Sequence, residues 1–124
     1  MATILLCDDT DEIRFLLRTE FGFHPGLDVV AEAANGQEAI ERAAEFQPDV
    51  VVLDIAMPVM DGLEALPHIR EVSPDAAVIV LSAFDTTEVR AQARELGAEA
   101  CLRKGETPED IAEAVMAAAR RHDH

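Results

Sequence analysis

The feature that most constrains the fold is a regular alternation of short apolar runs with longer amphipathic segments. The apolar runs, typical of buried strands, occupy residues 3–7, 27–33, 50–53, 76–81 and 98–103. Segments with helical spacing of apolar residues follow at 11–21, 37–46, 62–72, 86–96 and from 107 to about 120. This alternation predicts an α/β fold: a doubly wound, five-stranded parallel sheet with five helices covering both faces.

Residue types at the helix ends support some boundaries and leave one open. The last helix has a clear start, with Thr107 as N-cap, Pro108 at the first helical position and acids directly after it. Pro67 lies a turn inside the third helical segment. Proline lacks an N–H and disturbs a helix interior, so this helix either begins later than Gly62 or bends at Pro67.

Composition limits the function classes. A chain of 124 residues with a net charge of −15 is expected to form one domain, residues 1–124. The negative charge argues against direct nucleic-acid binding and favours cations or basic partner surfaces. No apolar run approaches membrane-spanning length and no cleavable signal pattern follows Met1, so we expect no membrane association and a cytoplasmic location.

The cysteines and histidines show no metal-binding pattern. Cys7 and Cys101 lie in separate apolar runs without CxxC spacing, so two buried structural thiols are expected. The four histidines, His24, His68, His122 and His124, have no ligand spacing, which gives little support to a zinc site.

The third apolar run ends in a carboxylate, Asp54. Three valines and a leucine precede it, as expected for a strand buried on both faces of a parallel sheet. Pro58 and Gly62 follow in a turn-rich loop, which is expected to expose the acid instead of burying it. Because ligands of open α/β sheets bind beyond the carboxyl ends of the strands, Asp54 stands where chemistry is expected.

The other strands end in polar residues that should reach the same crevice. In chain order the strand ends supply Asp8 and Asp9, Asn35, Asp54, Ser82 and Lys104. Two carboxylates about 5 Å apart repel each other by roughly 3 kcal/mol at an effective dielectric constant near 20, so the acids require a cation among them. Oxygen ligands without His or Cys select a hard ion, and Mg²⁺ suits a few carboxylates together with a phosphoryl group.

Lys104 and Ser82 complete a possible phosphoryl site. Lys104 is the only lysine among ten basic residues, and its ammonium could neutralise one phosphoryl oxygen while Ser82 hydrogen-bonds another. On these grounds Asp54 is either a metal ligand or a nucleophile that becomes an aspartyl phosphate.

Four segments together carry a resemblance to a known family. They are Leu-Leu-Cys-Asp-Asp at 5–9, Val-Val-Leu-Asp-Ile-Ala-Met-Pro-Val-Met-Asp-Gly at 51–62, Val-Leu-Ser-Ala at 80–83 and Leu-Arg-Lys-Gly at 102–105. With these segments the chain resembles the response-regulator receiver domains of two-component systems over essentially its whole length. The resemblance implies a flavodoxin-like sheet with strand order 2-1-3-4-5.

The resemblance also implies a reaction and its residues. Asp54 would accept a phosphoryl group from a phosphohistidine on a sensor histidine kinase or a histidine phosphotransfer protein. Mg²⁺ would be held by Asp9, Asp54 and the backbone carbonyl of Ala56, with Asp8 acting through bound water.

The implied function is a signalling switch, not an enzyme. Ser82 would be the switch hydroxyl and Lys104 the phosphoryl-binding cation. Phosphorylation would repack the face formed by the fourth helix, fifth strand and fifth helix, which would contact a downstream effector or a second copy of the chain.

Two positions depart from the family pattern. Cys101 stands where receivers usually carry a Tyr or Phe, three residues before the lysine, and Phe84 could take part of that packing role. Gly105 replaces the common proline after Lys104, so no cis-proline is expected there.

Two other functions fit parts of the sequence. A haloacid-dehalogenase-type phosphatase also uses an aspartate after its first strand, and Asp9 and Asp11 form an Asp-x-Asp, but Ile13 stands where Thr or Val is expected and no late Gly-Asp motif follows. A flavodoxin needs a phosphate loop and stacking aromatics, whereas residues 8–12 are acidic and Trp and Tyr are absent.

Overall fold

The computed structural model describes residues 1–83 and 87–121. Its strands are β1 (Ala2–Cys7), β2 (Leu27–Ala33), β3 (Val50–Asp54), β4 (Ala77–Ser82) and β5 (Ala100–Arg103). Its helices are α1 (Asp11–Gly22), α2 (Gly36–Phe46), α3 (Gly62–Val72), α4 (Thr87–Glu95) and α5 (Pro108–Arg121). All strand pairs are parallel, in the order β2-β1-β3-β4-β5, so the flavodoxin-like prediction is confirmed.

Side chains alternate between two apolar clusters, one on each face of the sheet. On β3, Val51 and Leu53 pack toward α2 and α3, whereas Val50 and Val52 pack toward α1 and α5. All five residues of β3 are buried. This two-sided burial explains why the first four residues of β3 are apolar, because each of their side chains enters one of the two clusters.

Strand register aligns the carboxyl ends of the sheet. Cys7 of β1 lies opposite Leu53 of β3, and Asp54 lies opposite Leu81 of β4. Ser82, at the end of β4, lies opposite Arg103 of β5. Residues that follow these positions therefore emerge at one edge of the sheet, where a functional site can be assembled from several strands.

The helix ends agree closely with the sequence predictions. The Thr107 hydroxyl accepts a hydrogen bond from the Asp110 N–H at 3.1 Å, so Thr107 caps α5 as predicted. Helix α3 begins at Gly62 and includes Pro67, so the alternative of a later start is wrong. Since proline has no N–H, Pro67 cannot supply the usual hydrogen bond to the Leu63 carbonyl.

Several predictions fall outside the described residues. These are the start of α4 at Thr86, the packing role of Phe84, and the C-terminal His122 and His124. Within the described residues, no helix is both long enough and apolar enough to cross a membrane.

Candidate phosphoryl-acceptor site

Asp54 is the last residue of β3, the central strand of the sheet. Its side chain is buried, with 1% exposure, so the expectation of an exposed acid is wrong, because Asp54 is itself the last residue of a buried strand. The Ala56 N–H donates to Asp54 Oδ1 at 3.2 Å, and the Ile55 N–H donates to the Leu81 carbonyl at 3.0 Å. Asp54 is therefore fixed by its own loop and by β4 at the carboxyl edge of the sheet.

The two acids after β1 lie beside Asp54. Asp8 is buried, whereas Asp9 is exposed. One carboxylate oxygen from each of Asp8, Asp9 and Asp54 can be chosen so that all lie within 4.8 Å of one another. The structure thus brings together the three carboxylates that the sequence analysis placed at the strand ends.

Lys104 follows β5 and reaches into the same cluster. Its Nζ donates a hydrogen bond to Asp54 Oδ2 at 2.9 Å and lies 3.2 Å from Asp8 Oδ2. The second contact is an ion pair whose direction is not that of a hydrogen bond, so the buried Asp8 Oδ2 has no hydrogen-bond donor among the described residues. A buried oxygen in this condition is one that a bound ion or water would satisfy.

Ser82 occupies the remaining strand end of the site. It is buried, and its backbone carbonyl accepts the Lys104 N–H at 2.9 Å. This bond joins the ends of β4 and β5, and it places the Ser82 backbone next to the residue whose ammonium contacts Asp54. Asn35, in contrast, caps α2 by accepting the Glu38 N–H at 2.9 Å, so its side chain serves a structural purpose.

Burial and contacts within the cluster shift the pKa values of Asp54 and Lys104. Burial raises the pKa of Asp54 above its ordinary value, although the hydrogen bond from Lys104 acts in the opposite direction. Burial also lowers the pKa of Lys104, but the hydrogen bond and the charge of Asp54 outweigh it, and the pKa of Lys104 is raised. Lys104 is therefore a cation at neutral pH.

The charges of the cluster do not balance. Three carboxylates face one ammonium, and neighbouring carboxylates about 5 Å apart repel each other by roughly 3 kcal/mol at an effective dielectric constant near 20. Within the described residues, no histidine or cysteine joins the cluster. An all-oxygen acidic site of this kind fits Mg²⁺, which binds through one or two carboxylates and keeps several waters.

Replacing Asp54 with asparagine should stabilise the metal-free protein at neutral pH by a few degrees in Tm. The pKa of Asp54 is raised in the folded state, so folding favours its protonated form. The contribution of Asp54 to the free energy of unfolding is therefore complete below the unfolded pKa and is lost as the pH rises through the folded pKa. The gain from Asp54→Asn should therefore shrink as the pH falls toward 4. The difference in Tm between the two proteins is measured by thermal unfolding in EDTA, followed by circular dichroism at a series of pH values. An Asp54→Asn protein less stable than the native chain at pH 7 would contradict the sign.

Two glycines hold the loop that follows Asp54 against its neighbours. The Gly62 N–H donates to the Ile55 carbonyl, and the Gly36 N–H donates to the Met60 carbonyl, both at 2.8 Å. A Cβ at Gly62 would lie 2.3 Å from the Asp54 carbonyl oxygen, and one at Gly36 would lie 2.3 Å from the Met60 carbonyl oxygen. These close contacts join segments distant in sequence, so the sequence indicated only a turn near Gly62 and gave no role to Gly36.

Arg14 is a further residue at the site that the sequence analysis missed. Its guanidinium donates a hydrogen bond to the backbone carbonyl of Asp8 and pairs with Glu32 on β2. An arginine in the first turns of a helix is an ordinary surface residue by pattern alone. The signal available in the sequence was its position two residues after the acidic stretch 8–12, which does not specify a backbone partner.

The two cysteines differ in environment. Cys7 is buried, and burial raises the pKa of its thiol. Cys101 is only partly buried on β5, so the prediction of two buried thiols is wrong for Cys101. The reason is that β5 is an edge strand whose four residues are all at least partly exposed.

A cavity of about 270 Å³ lies away from this site. It is lined by residues at or near the amino ends of β1, β2 and β3, such as Ala2, Leu27 and Asp49, and by Met116 and Arg120 of α5. The carboxylate cluster is at the opposite edge of the sheet, so we assign the chemistry to the cluster and not to this cavity.

Comparisons with known proteins agree with this geometry. The family model described as the response regulator receiver domain matches residues 4–116. The transcriptional regulatory protein LnrK of Bacillus subtilis is 40% identical over 116 residues, which are 94% of this chain and 53% of LnrK. The chain spans about half the length of the curated relatives it matches.

Two solved structures show the same architecture. The signal receiver domain of the response regulator NarL from Mycobacterium tuberculosis superposes with a TM-score of 0.90 at 30% identity, covering 96% of each chain. A CheX–CheY–BeF₃–Mg²⁺ complex from Borrelia burgdorferi gives a TM-score of 0.87 at 29% identity, covering 94% of this chain and 87% of the other. The chain therefore belongs to the response regulator receiver domain family and is a phospho-accepting switch of two-component signalling.

Proposed function

We propose that Asp54 is the residue that accepts the phosphoryl group, and that the donor is a phosphohistidine on a sensor histidine kinase or a histidine phosphotransfer protein. The observation that carries this assignment is the position of Asp54. It is the one member of the carboxylate cluster that accepts a hydrogen bond from Lys104, and it lies at the end of the central strand.

In the proposed step, an Asp54 carboxylate oxygen attacks the phosphorus atom and forms an O–P bond. The N–P bond breaks, and the histidine nitrogen of the donor keeps the electron pair and takes up a proton from solvent. Lys104 binds a phosphoryl oxygen with its ammonium, and Ser82 donates its hydroxyl to another. Both residues stand at strand ends of the site, and this position favours their taking part in the transfer.

Mg²⁺ is the metal that the donor set fits. Asp9, Asp54 and the backbone carbonyl of Ala56 would hold it, and Asp8 would act through water. Support comes from the unsatisfied, buried Asp8 Oδ2 and from the excess of carboxylates over cations. The CheX–CheY complex contains Mg²⁺ together with BeF₃. When bound, the metal neutralises charge on the phosphoryl oxygens in the transition state.

The proposal for the whole chain is a receiver domain spanning residues 1–124 that acts as a switch and not as an enzyme. The relatives it matches include transcriptional regulators, in which the receiver is one part of a longer protein. With a net charge of −15, this domain is not expected to bind nucleic acid directly. We expect it to act in the cytoplasm, where it would meet its phosphohistidine donor.

Signal output is proposed to leave through the α4-β5-α5 face, toward a downstream effector or a second copy of the chain. Lys104 connects this face to the site, because its ammonium contacts Asp54 while its N–H bonds the Ser82 carbonyl. Cys101, on β5, is half-buried beside Arg90 and Arg94 of α4. Movement of Lys104 and Ser82 toward the phosphoryl group would shift β4 and β5, and hence this face.

Incubation with acetyl phosphate and Mg²⁺ should add one phosphoryl group to the native chain, as measured by intact-protein mass spectrometry. The adduct should be removed by hydroxylamine, as expected for an acyl phosphate, and EDTA should prevent its formation. The Asp54→Asn protein should show no gain of mass, because an amide oxygen is a poor nucleophile. A full gain of mass by Asp54→Asn on another residue would show that the acceptor is misassigned.

A further inference from the structure

One side chain, which the proposed reaction does not use, holds the peptide group between the two acids that follow β1. Arg14 of α1 donates a hydrogen bond from its guanidinium to the backbone carbonyl oxygen of Asp8. This carbonyl belongs to the planar peptide group that joins Asp8 to Asp9. The bond therefore restricts the backbone on both sides of this peptide group, and with it the directions in which the Asp8 and Asp9 side chains leave the chain.

We propose that Arg14 is a positioning residue, which holds Asp8 and Asp9 in the arrangement that binds Mg²⁺. The inference rests on the proposed Mg²⁺-dependent function and adds to it a residue that does not touch the metal or the phosphoryl group. Such supporting groups orient metal ligands, and their loss typically weakens metal binding by about 10- to 100-fold.

The other contacts of Asp8 show why this bond matters. The Asp8 N–H donates to the Ala33 carbonyl at 3.0 Å, which ties the residue to the end of β2. Asp8 Oδ1 accepts the Thr10 N–H at 2.9 Å. These contacts fix the amino side and the side chain of Asp8, whereas Arg14 fixes the carbonyl side, which leads directly to Asp9.

Arg14 is itself held in place. Its Nε donates to Glu32 Oε1 at 3.0 Å, and its guanidinium also pairs with Asp11. The Arg14 side chain is only 14% exposed. The planar, five-donor guanidinium can bind a carbonyl and two carboxylates together in a fixed geometry, which the point charge of a lysine cannot reproduce.

Replacement of Arg14 should change the Mg²⁺ affinity in opposite directions, depending on whether Arg14 acts through its charge or by positioning Asp8 and Asp9. Removing a cation near an acidic metal site favours the binding of Mg²⁺, because the repulsion between two positive charges is lost. Removing a positioning contact weakens binding, because the two carboxylates must then be ordered when the metal binds. The sign of the change in affinity therefore distinguishes the two roles.

The test compares Mg²⁺ binding to the native chain and to Arg14→Met, Arg14→Lys and Arg18→Met. Methionine keeps an unbranched apolar side chain at position 14 and removes the hydrogen-bond donors. Lysine keeps the positive charge without the planar guanidinium group. Arg18 is the matched control, because it also pairs with Glu32 but makes no hydrogen bond to Asp8. The Mg²⁺ dissociation constant is measured by isothermal titration calorimetry, and independently from the rise of Tm with Mg²⁺ concentration.

We expect Arg14→Met to weaken Mg²⁺ binding about tenfold. Arg14→Lys should give an intermediate loss, and Arg18→Met a change within about twofold, as expected for an exposed ion pair. The Mg²⁺ concentration for half-maximal phosphorylation by acetyl phosphate should rise by the same factor in Arg14→Met, while the rate at saturating Mg²⁺ recovers toward that of the native chain.

Unchanged or tighter Mg²⁺ binding by folded Arg14→Met would overturn the positioning role, even if that protein had a lower Tm. Equal losses in Arg14→Met and Arg18→Met would also overturn it, because Arg18 makes no hydrogen bond to Asp8. If Arg14→Met fails to fold, the Mg²⁺ affinity of Arg14→Lys is the deciding measurement, and unchanged or tighter binding by that protein would overturn the positioning role. No Mg²⁺ binding by the native chain would instead refute the proposed function, and the inference with it.

Discussion

Replacing Asp9 with asparagine should weaken Mg²⁺ binding at least about tenfold and slow the phosphorylation of Asp54 correspondingly at limiting Mg²⁺. Loss of a residue that merely supports a metal ligand typically changes affinity by about 10- to 100-fold, so loss of Asp9, a proposed ligand, should have at least this effect. Asp9 is exposed and belongs to the carboxylate cluster, so its replacement changes the site with little effect on the core.

The same change should have the opposite effect on stability when metal is absent. Without Mg²⁺, the Asp9→Asn protein loses a repulsion with Asp8 and Asp54, so its Tm in EDTA should equal or exceed that of the native chain. Addition of Mg²⁺ should then raise the Tm of the native chain much more than that of Asp9→Asn. Calorimetry and thermal unfolding measure both effects.

Asp28→Asn is a matched control for Asp9→Asn. Asp28 is exposed on β2 and is paired with Thr3 near the amino end of the sheet, so this substitution removes the same charge far from the cluster. It should leave Mg²⁺ binding and the phosphorylation rate nearly unchanged. Equal Mg²⁺ affinities in the Asp9→Asn protein and the native chain would show that Asp9 is not a ligand.

Replacing Gly62 with alanine should destabilise the protein by about 2–4 kcal/mol. A Cβ at this position would lie 2.3 Å from the Asp54 carbonyl oxygen and 2.9 Å from the Ile55 Cα. Both are backbone atoms, so they cannot rotate away as a flexible side chain can. Relief of the contact must move the start of α3 away from the end of β3, which also breaks the hydrogen bond from the Gly62 N–H to the Ile55 carbonyl.

The displacement should affect function as well as stability, because the segment that moves contains Asp54. We expect slower phosphorylation by acetyl phosphate in Gly62→Ala even at temperatures where the protein is folded. Urea unfolding gives the free energy, and mass spectrometry gives the rate.

Gly22→Ala is the control for the Gly62 substitution. Nothing lies within 4 Å of a Cβ at Gly22, which is exposed at the end of α1. Alanine is the better helix former, so this change should be neutral or stabilising by up to about 1 kcal/mol. If Gly62→Ala is as harmless as Gly22→Ala, the close approach of α3 to the end of β3 is not a constraint on the fold.

Much of the site could be predicted because its residues follow strands of a parallel sheet. Asp54 comes directly after a uniformly apolar run, and Lys104 is the single lysine of the chain, at the end of another run. Parallel connections place all such ends at one edge, so local pattern and topology together were sufficient to predict that these two residues meet. The structure places their charged atoms 2.9 Å apart.

Other features could not be obtained in this way, because they depend on contacts between segments far apart in the chain. Cys101 is partly exposed because β5 lies at the edge of the sheet, where no strand of the described residues covers one of its sides. The apolar residues of this segment do not reveal that position. The inclusion of Pro67 in α3 depends on packing: the helix buries Leu66 and Ile69 beside the proline, and this burial offsets the loss of one backbone hydrogen bond.

The order of elements, the parallel sheet and the polar residues at its carboxyl edge follow from the amino-acid sequence alone, because hydrophobic periodicity and strand direction are local or nearly local properties. Which backbone atoms those residues contact depends on how the elements pack together. The bond of Arg14 to the Asp8 carbonyl, and the need for a glycine at position 62, arise from distances between chain segments that the folded packing alone brings together.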